Sequence, residues 1–180
     1  MMKEAVRDAM NEQINAELYS AYLYLSMCSY FKKTGFDGFA TWMEVQAMEE
    51  FMHAMKFFHF MGERGEQPVM KPIDGPRTSW ESPLAVFEQV YEHELKVTGL
   101  IHSLLDLAIE QKDHATVNFL QWFVSEQVEE ETSADALVHK LKLVGDDGRG
   151  LLILDQELGQ RVLTLPPGTT IIAGAVAGKP

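Results

Sequence analysis

The chain has 180 residues and a mass of 20.3 kDa, which is enough for one domain with a sizeable core. Its formal net charge of -12, from 27 acidic and 15 basic residues, disfavours nucleic-acid and anionic-membrane partners and favours cations. The single cysteine, Cys28, excludes an intrachain disulfide and any cysteine-ligated zinc or iron–sulfur site within one subunit.

The start of the sequence and its hydropathy bear on location. The opening segment, MMKEAVRDAM, is mixed and charged and does not form an apolar leader. No uninterrupted apolar run is long enough to span a bilayer. We therefore expect a cytoplasmic protein without a membrane partner.

Two long helices are predicted first, joined by a short connection. Apolar residues at helical spacing predict a helix from about Met2 to Lys33, and Gly35 is typical of a helix end. Asp37 is predicted to cap a second helix that continues to about Gly62. Because only a few residues join them, these helices are expected to pack antiparallel.

A long segment without helical periodicity follows, from about Glu63 to Glu81. It can extend to roughly 60 Å, so it can travel the length of a bundle and leave the helices on either side of it parallel. Ser82 as cap and Pro83 at the first helical position then predict a third helix that continues to about Lys112.

Asp113 is predicted to cap a fourth helix that ends at Val144, before a glycine-rich turn. The next segment, LLILDQELGQR, predicts a short fifth helix, which is expected to find no place among four paired helices and to meet copies of itself. The last residues, 162–180, contain a Pro-Pro-Gly break and no helical period, and they predict an extended or mobile tail. The predicted domains are therefore residues 1–161 and this tail.

Four long helices each carry a glutamate within an apolar helical face. Glu17, for example, lies between Ile14 and Ala21 on the same face. Burial of four ionised carboxylates costs several kcal/mol each unless their charge is compensated, so a pair of divalent cations is predicted between them. The four glutamates are Glu17, Glu50, Glu94 and Glu130.

A histidine accompanies one of these glutamates. Glu50 and His53 are three residues apart, so both project from one face of a helix and can hold the same metal ion. Oxygen ligands with one imidazole suit iron, manganese or zinc better than copper. The remaining histidines lack a glutamate at this spacing and are expected at the surface or at helix caps: His59, His93, His102, His114 and His139.

These positions match the pattern of ferritin-like di-iron proteins, in which two helices contribute a glutamate each and two contribute Glu-x-x-His. The fourth helix departs from the pattern with Gln127-x-x-Glu130, so one metal is expected to bind more weakly. From Met1 to Arg161 the chain resembles the bacterial non-haem ferritins. The segments that carry this resemblance are ELYSAYLYL, MEEFMHAMKF, EHE, KDHATVNFLQWFVSEQVEEE and GLLILDQELGQR.

The resemblance implies an all-α fold, a ferritin-like four-helix bundle with one long crossover between the second and third helices and a short fifth C-terminal helix. It also implies a set of iron ligands. Those of the first iron are Glu17, Glu50 and His53, with Glu50 bridging, and those of the second are Glu94 and Glu130, with Gln127 beside them.

Further positions follow from the same resemblance. A third iron position would be lined by Glu49, Glu126 and Glu129, with Glu130 shared, although a solvated acidic face is the alternative for these residues. Tyr24 matches a tyrosine beside the centre that can supply an electron or a hydrogen bond, and Trp122 lies near enough to do the same. Simple aromatic packing is the alternative for both rings.

Haem is not expected. Bacterioferritins hold haem through a methionine directly after the bridging glutamate, and this chain has Phe51 there. They also carry a histidine where this chain has Glu130, although Met48 and Met52 lie nearby. Mini-ferritins place their ligands between subunits, and rubrerythrins need a cysteine-rich module that one cysteine cannot form.

The resemblance implies a ferroxidase that oxidises Fe(II) with O2 or H2O2 and stores Fe(III) as an oxyhydroxide mineral inside a cage of twenty-four identical subunits. Zinc can substitute for iron at such ligands. Two other readings stay open from the residues. One is a non-catalytic metal-binding or scaffolding bundle that holds zinc or nothing, and the other is a di-iron oxygenase that acts on an organic substrate.

Overall fold

The computed structural model describes residues 2–163, and these residues form five α-helices and no strand. The long helices are far above the average length in globular proteins, as the sequence predicted. The five helices are α1 (Glu4–Thr34), α2 (Asp37–Glu63), α3 (Pro83–Glu110), α4 (His114–Val144) and α5 (Gly148–Leu158). The tail predicted at 162–180 lies outside the described residues from 164 onward.

Most of the predicted helix ends are confirmed by their capping hydrogen bonds. The side chain of Ser82 accepts a hydrogen bond from the N–H of Ala85, and that of Asp113 accepts one from the N–H of Thr116. Gly35 ends α1 with φ of 82°, a left-handed conformation that glycine adopts without strain.

The cap predicted at Asp37 is wrong. Phe36 is the N-cap residue of α2 and makes no side-chain capping bond, whereas Asp37 is the first residue inside the helix. A carboxylate is still favourable there, because it faces the positive end of the helix dipole. Acidic residues are enriched at both positions, so the sequence alone does not separate them.

Side-chain contacts show how the helices run. The rings of Phe31 and Phe87 meet at 6.2 Å, while Tyr24 contacts Glu94, so rising numbers in α1 meet falling numbers in α3. Helices α1 and α2 are likewise antiparallel, because only residues 35–36 connect them. Helices α2 and α3 are therefore parallel, as predicted.

The crossover between α2 and α3, residues 64–82, lies along α1. The N–H of Val69 donates a 2.8 Å hydrogen bond to Asn11, and the hydroxyl of Ser26 donates a 2.7 Å hydrogen bond to the carbonyl of Arg77. The segment thus follows α1 over about four helical turns, and these contacts fix its path.

The fifth helix packs against α2 and α4 of its own subunit, which corrects the expectation that it finds no place there. Leu154 and Leu158 are buried in the core, and the side chain of Asp155 accepts a 2.9 Å hydrogen bond from the N–H of Phe39. A Cβ added at Gly38 would lie 1.6 Å from the carbonyl oxygen of Asp155, so only glycine permits this contact.

Two apolar clusters fill the bundle on either side of a polar middle. One surrounds Phe31, Phe39 and Phe87, and the other surrounds Phe57 and Phe123. The band between them contains the buried glutamates, so the fold positions the site at half-length in the bundle. No helix among residues 2–163 is long and apolar enough to cross a membrane.

Candidate metal centre

The four inward glutamates and the histidine of the Glu-x-x-His pair are buried in the middle of the bundle. Each glutamate comes from a different helix. It points into the bundle because the apolar residues on both sides of it turn that helical face toward the core. Their exposed fractions are 1% for Glu17, 2% for Glu50, 2% for His53, 1% for Glu94 and 8% for Glu130.

Glu17, Glu50 and His53 form the tightest group. One ligand atom from each lies within 4.8 Å of the others, and Nδ1 of His53 is 3.4 Å from Glu50 Oε2. Oε2 of Glu17 and Nε2 of His53 are buried without any hydrogen-bond partner among the described residues. Buried polar atoms are normally paired, so these two unpartnered atoms fit a bound cation that replaces their protons.

Two glutamines hold the carboxylates in place, and the sequence analysis did not single them out. Gln13 donates a 2.8 Å hydrogen bond to Glu17, and Gln46 donates to Glu50 at 2.9 Å and to Glu130 at 2.8 Å. Each glutamine precedes a core glutamate by four residues, which is a signal that could have identified them.

Glu94 is fixed by a different set of partners. The hydroxyl of Tyr24 donates a hydrogen bond to Oε1 of Glu94. The side-chain amide of Gln127 lies 3.3 Å from Oε2 of Glu94 and 3.2 Å from the hydroxyl of Thr98. The structure therefore brings Glu94, Gln127 and Tyr24 together, as the sequence predicted, while their roles toward metal stay predictions.

The group also has strongly shifted pKa values. Burial and the charge of Glu50 raise the pKa of Glu17 to about 8 and that of Glu130 to about 8, against the opposing charge of His53. Burial alone would raise the pKa of Glu50, but the charge and hydrogen bond of His53 lower it.

For the imidazole of His53, burial acts on the pKa in the opposite direction from its effect on the carboxyl groups. Burial lowers its pKa, but the hydrogen bond and charge of Glu50 outweigh burial and raise the pKa to about 10. Near neutral pH the metal-free centre therefore carries protons on part of its carboxylates and on His53. Divalent cations that displace these protons would supply the same compensation.

Three further acids lie beside this group. One ligand atom from each of His53, Glu126 and Glu130 falls within 4.8 Å of the others, so Glu126 adjoins the centre. Burial and the nearby charges of Glu129 and Glu49 raise the pKa of Glu126, with His53 opposing them. Glu129 itself is exposed, and Glu49 pairs with Arg161.

Trp122 contacts the centre through a ring. Its ring meets that of His53 edge-on at 5.3 Å, and the ammonium of Lys56 lies 4.1 Å from the Trp122 ring centroid. The predicted position of Trp122 near the centre is thus what the structure shows, and its electron-transfer role stays a prediction.

His93 was expected at the surface or at a helix cap, and this expectation is wrong. His93 is half-buried between α1 and α3, with Nε2 2.7 Å from the hydroxyl of Ser20 and its ring edge-on to Tyr24. Burial lowers its pKa, which favours neutral imidazole. The other four are exposed, as predicted: His59, His102, His114 and His139.

A four-helix bundle with one long crossover, with a buried glutamate on each helix and a Glu-x-x-His pair, defines the class of carboxylate di-metal bundles. Comparison with known proteins gives the family. The chain belongs to the ferritin family, because the family model for the ferritin-like domain matches residues 7–144.

The relatives agree with this assignment and with the resemblance stated from the sequence. The bacterial non-heme ferritin of Bacteroides fragilis is 47% identical over 161 residues, which cover 89% of this chain and 100% of that protein. The bacterial non-heme ferritin of Campylobacter jejuni is 40% identical over 156 residues, or 87% of this chain and 93% of that protein.

Solved structures of Archaeoglobus fulgidus ferritin are also similar. The open-pore ferritin of this archaeon superposes with a TM-score of 0.89 at 56% identity and covers 90% of this chain and 100% of that one. A closed form engineered by mutagenesis has a TM-score of 0.90 at 55% identity, with 91% of this chain and 100% of that one covered. The predicted fold class is confirmed.

Proposed function

We propose that this protein stores iron, and that it oxidises Fe(II) with O2 or H2O2 at a dinuclear centre before depositing Fe(III) as an oxyhydroxide mineral inside a protein cage. The observation that carries the proposal is the buried group of Glu17, Glu50 and His53, in which Oε2 of Glu17 and Nε2 of His53 have no hydrogen-bond partner among residues 2–163. Relatives named as non-heme ferritins support iron as the metal.

Iron is here the substrate, and the protein's residues serve to bind and orient it. Glu17 and His53 would hold the first ferrous ion, and Glu50 would bridge to the second. Two ferrous ions held side by side supply two electrons, which reduce dioxygen to peroxide or peroxide to water. Gln46 keeps the carboxylate of Glu50 oriented by its 2.9 Å hydrogen bond.

The second ion would be held by Glu94 and Glu130. Gln127 lies beside them and offers a neutral amide where the di-iron pattern has a glutamate, while Glu130 stands where that pattern has a histidine. A neutral amide oxygen is a weaker ligand than imidazole or carboxylate, so we propose that the second ion binds less tightly than the first. That asymmetry suits an ion that must leave after oxidation.

Glu49, Glu126 and Glu129 would form a third iron position that shares Glu130. Its support is the closeness of Glu126 to His53 and Glu130. Acids in this position can receive ferric ions from the dinuclear pair and pass them on to the mineral.

We further propose assembly into a cage of twenty-four identical subunits in the cytoplasm. The similarity to Archaeoglobus fulgidus ferritins supports assembly. Exposed apolar side chains on α1 and on the crossover also support assembly, because a neighbouring subunit can cover them. These side chains are Tyr22, Leu25, Val69, Met70 and Ile73. No haem is proposed, because Phe51 occupies the place of the haem methionine.

The test of the oxidation step is anaerobic loading of the metal-free protein with ferrous salt, followed by admission of air. We expect rapid ferric absorbance in the wild type and a loss of more than about tenfold in rate in Glu50→Ala, because a ligand is removed. Glu44→Ala, an exposed glutamate on the same helix, is the matched control. A wild-type rate equal to that of protein-free buffer would overturn the ferroxidase.

The size of the assembled particle and the mineral inside it test the proposed storage role. Size-exclusion chromatography separates a cage from the small oligomer that an oxygenase predicts. Electron microscopy of particles incubated with iron would show a dense core within a shell, and hollow particles after aerobic iron loading would contradict mineral storage.

A further inference from the structure

Arg161, just after α5, is folded back onto the acids beside the centre. Its guanidinium donates a hydrogen bond to the carboxylate of Glu49 and lies 4.4 Å from the ring centroid of Trp42. The Arg161 side chain is 23% exposed and that of Glu49 is 13% exposed, so water screens this ion pair only in part. This contact could not be predicted from sequence patterns, because the two residues are 112 positions apart.

The carboxylate of this ion pair, Glu49, is one of the acids that line the proposed third iron position. The positive charge of Arg161 also acts on Glu130, which adjoins both that position and the dinuclear pair. A side-chain cation therefore sits where a metal cation would otherwise bind.

The guanidinium of Arg161 uses only part of its hydrogen-bonding capacity. Its Nη1 is buried without a hydrogen-bond partner among the described residues, so the side chain is held by one carboxylate and one aromatic face. One ring nitrogen of His53 lies within 4.8 Å of carboxylate oxygens of Glu126 and Glu130, so His53 adjoins the proposed third position. A metal ion at Glu49 would therefore displace a guanidinium whose hydrogen-bonding capacity is only partly used.

We propose that Arg161 is an internal counter-cation that occupies Glu49 until a divalent cation displaces it, and that it thereby sets the metal affinity of the third position. The inference rests on the proposed function, because it concerns one of its iron positions. Arg161 donates to Oε2 of Glu49, so a metal ion that binds this same oxygen competes with the guanidinium and requires that Arg161 leave. Release also removes Arg161 from the ring of Trp42.

The test is anaerobic calorimetry with Zn²⁺ on the assembled, metal-free, full-length protein. In Arg161→Gln we expect the third equivalent to bind about tenfold more tightly, because a charged hydrogen bond no longer competes for Glu49. The first equivalent, at Glu17, Glu50 and His53, is expected to be unchanged. Arg149→Gln removes the same charge from the exposed start of α5 and is expected to bind like the wild type.

The Glu49→Gln variant tests whether the effect of Arg161 depends on the carboxylate of Glu49. In that background the Arg161→Gln substitution is expected to change nothing, since the contested carboxylate is gone. A third equivalent that binds equally in wild type and Arg161→Gln would overturn the proposal. Loss of the first two equivalents in the wild type would instead overturn the proposed function.

A second measurement does not depend on any variant. A crystal structure of the wild type loaded with Zn²⁺ is expected to show zinc on Glu49 and the guanidinium of Arg161 away from it. Zinc bound at Glu126 and Glu129 while Arg161 still contacts Glu49 would contradict displacement and reduce Arg161 to a clamp for the end of α5.

Discussion

Tyr24 donates its hydroxyl hydrogen bond to Oε1 of Glu94, and this bond joins α1 to α3 across the centre of the bundle. Glu94 also has Gln127 at Oε2, so both of its oxygens have a partner. Glu17, by contrast, has one oxygen without a hydrogen-bond partner in the described part of the chain. The carboxylate of Glu94 is therefore oriented before any metal arrives, and Tyr24 is the residue that orients it.

Tyr24→Phe is expected to weaken the second metal equivalent by about tenfold and to leave the first unchanged. Burial and the charges of Glu50 and Glu130 raise the pKa of Glu94 well above its ordinary value, and the bond from Tyr24 both opposes that rise and orients the carboxylate. Anaerobic titration with Zn²⁺ measures both equivalents. Tyr19→Phe is the control on the same helix, since the Tyr19 ring contacts His93. Equal weakening of both equivalents would show that Tyr24 supports the whole core and not Glu94.

Metal binding is expected to release protons near neutral pH. The pKa values of Glu17 and Glu130 are raised to about 8, so at pH 7 the protonated form of each predominates in the metal-free protein. Since carboxylates and not carboxylic acids bind metal, affinity is expected to rise as pH rises toward 8. Calorimetry in two buffers of different ionisation enthalpy counts the protons, and identical heats in both buffers would contradict the prediction.

Asp113→Asn is expected to lower the free energy of unfolding at pH 7 by about 1 to 2 kcal/mol, because the 3.0 Å ion pair with Arg64 is lost. Burial raises the pKa of Asp113, but Arg64 and Thr116 outweigh burial and lower it. The stabilisation is thus present above the ordinary value of 3.8 and lost as pH falls through the lower folded value.

Thermal unfolding of metal-free wild type and Asp113→Asn at several pH values measures this difference. It is expected to be constant near neutrality and to shrink in acid. Asp106→Asn, at an exposed position on α3, is expected to show no such trend. A difference that stays constant into strong acid would mean that the charge of Asp113 is not responsible.

Gly38→Ala is expected to detach α5 from α2, because the added Cβ would lie 1.6 Å from the backbone oxygen of Asp155. Exposure of Leu154 and Leu158 then costs about 3 to 6 kcal/mol. Hydrogen–deuterium exchange over 148–158 measures the loss of protection.

Gly62→Ala on the same helix is the matched control, because a Cβ there meets nothing within 4 Å. It is expected to leave exchange in α5 unchanged. Full protection of α5 in Gly38→Ala would show that the helices can shift to accommodate the methyl group.

Local signals predicted the helices well, and long-range contacts explain what they missed. Ser82 and Asp113 cap their helices through bonds within three residues, so their effect is visible in the sequence. The docking of α5 depends on Asp155 meeting Phe39 from 116 positions away, and no periodicity encodes it. Asp37 shows the limit of a local rule, since the same residue type suits two adjacent positions.

In the candidate site, too, the features set by local sequence were predicted and those set by long-range contacts were not. The apolar faces around Glu17 and Glu50 predicted that these residues point inward, and the structure places them together. Gln46 reaches Glu130 on another helix, and Arg161 reaches Glu49 from beyond α5, so both depend on packing that only the folded chain provides. His93 was missed for a related reason, because its partner Ser20 lies on a different helix.

The crossover has a consequence for how the chain folds. Short connections close the α1–α2 and α3–α4 hairpins at little entropic cost, whereas the 64–82 segment joins them across a long loop. Glu17 and Glu50 belong to the first hairpin, and Glu94 and Glu130 belong to the second, so docking of the metal-free hairpins buries these carboxyl groups and requires that part of them take up protons. A metal pair that binds only the docked state then works as a late cross-link between two halves that form separately.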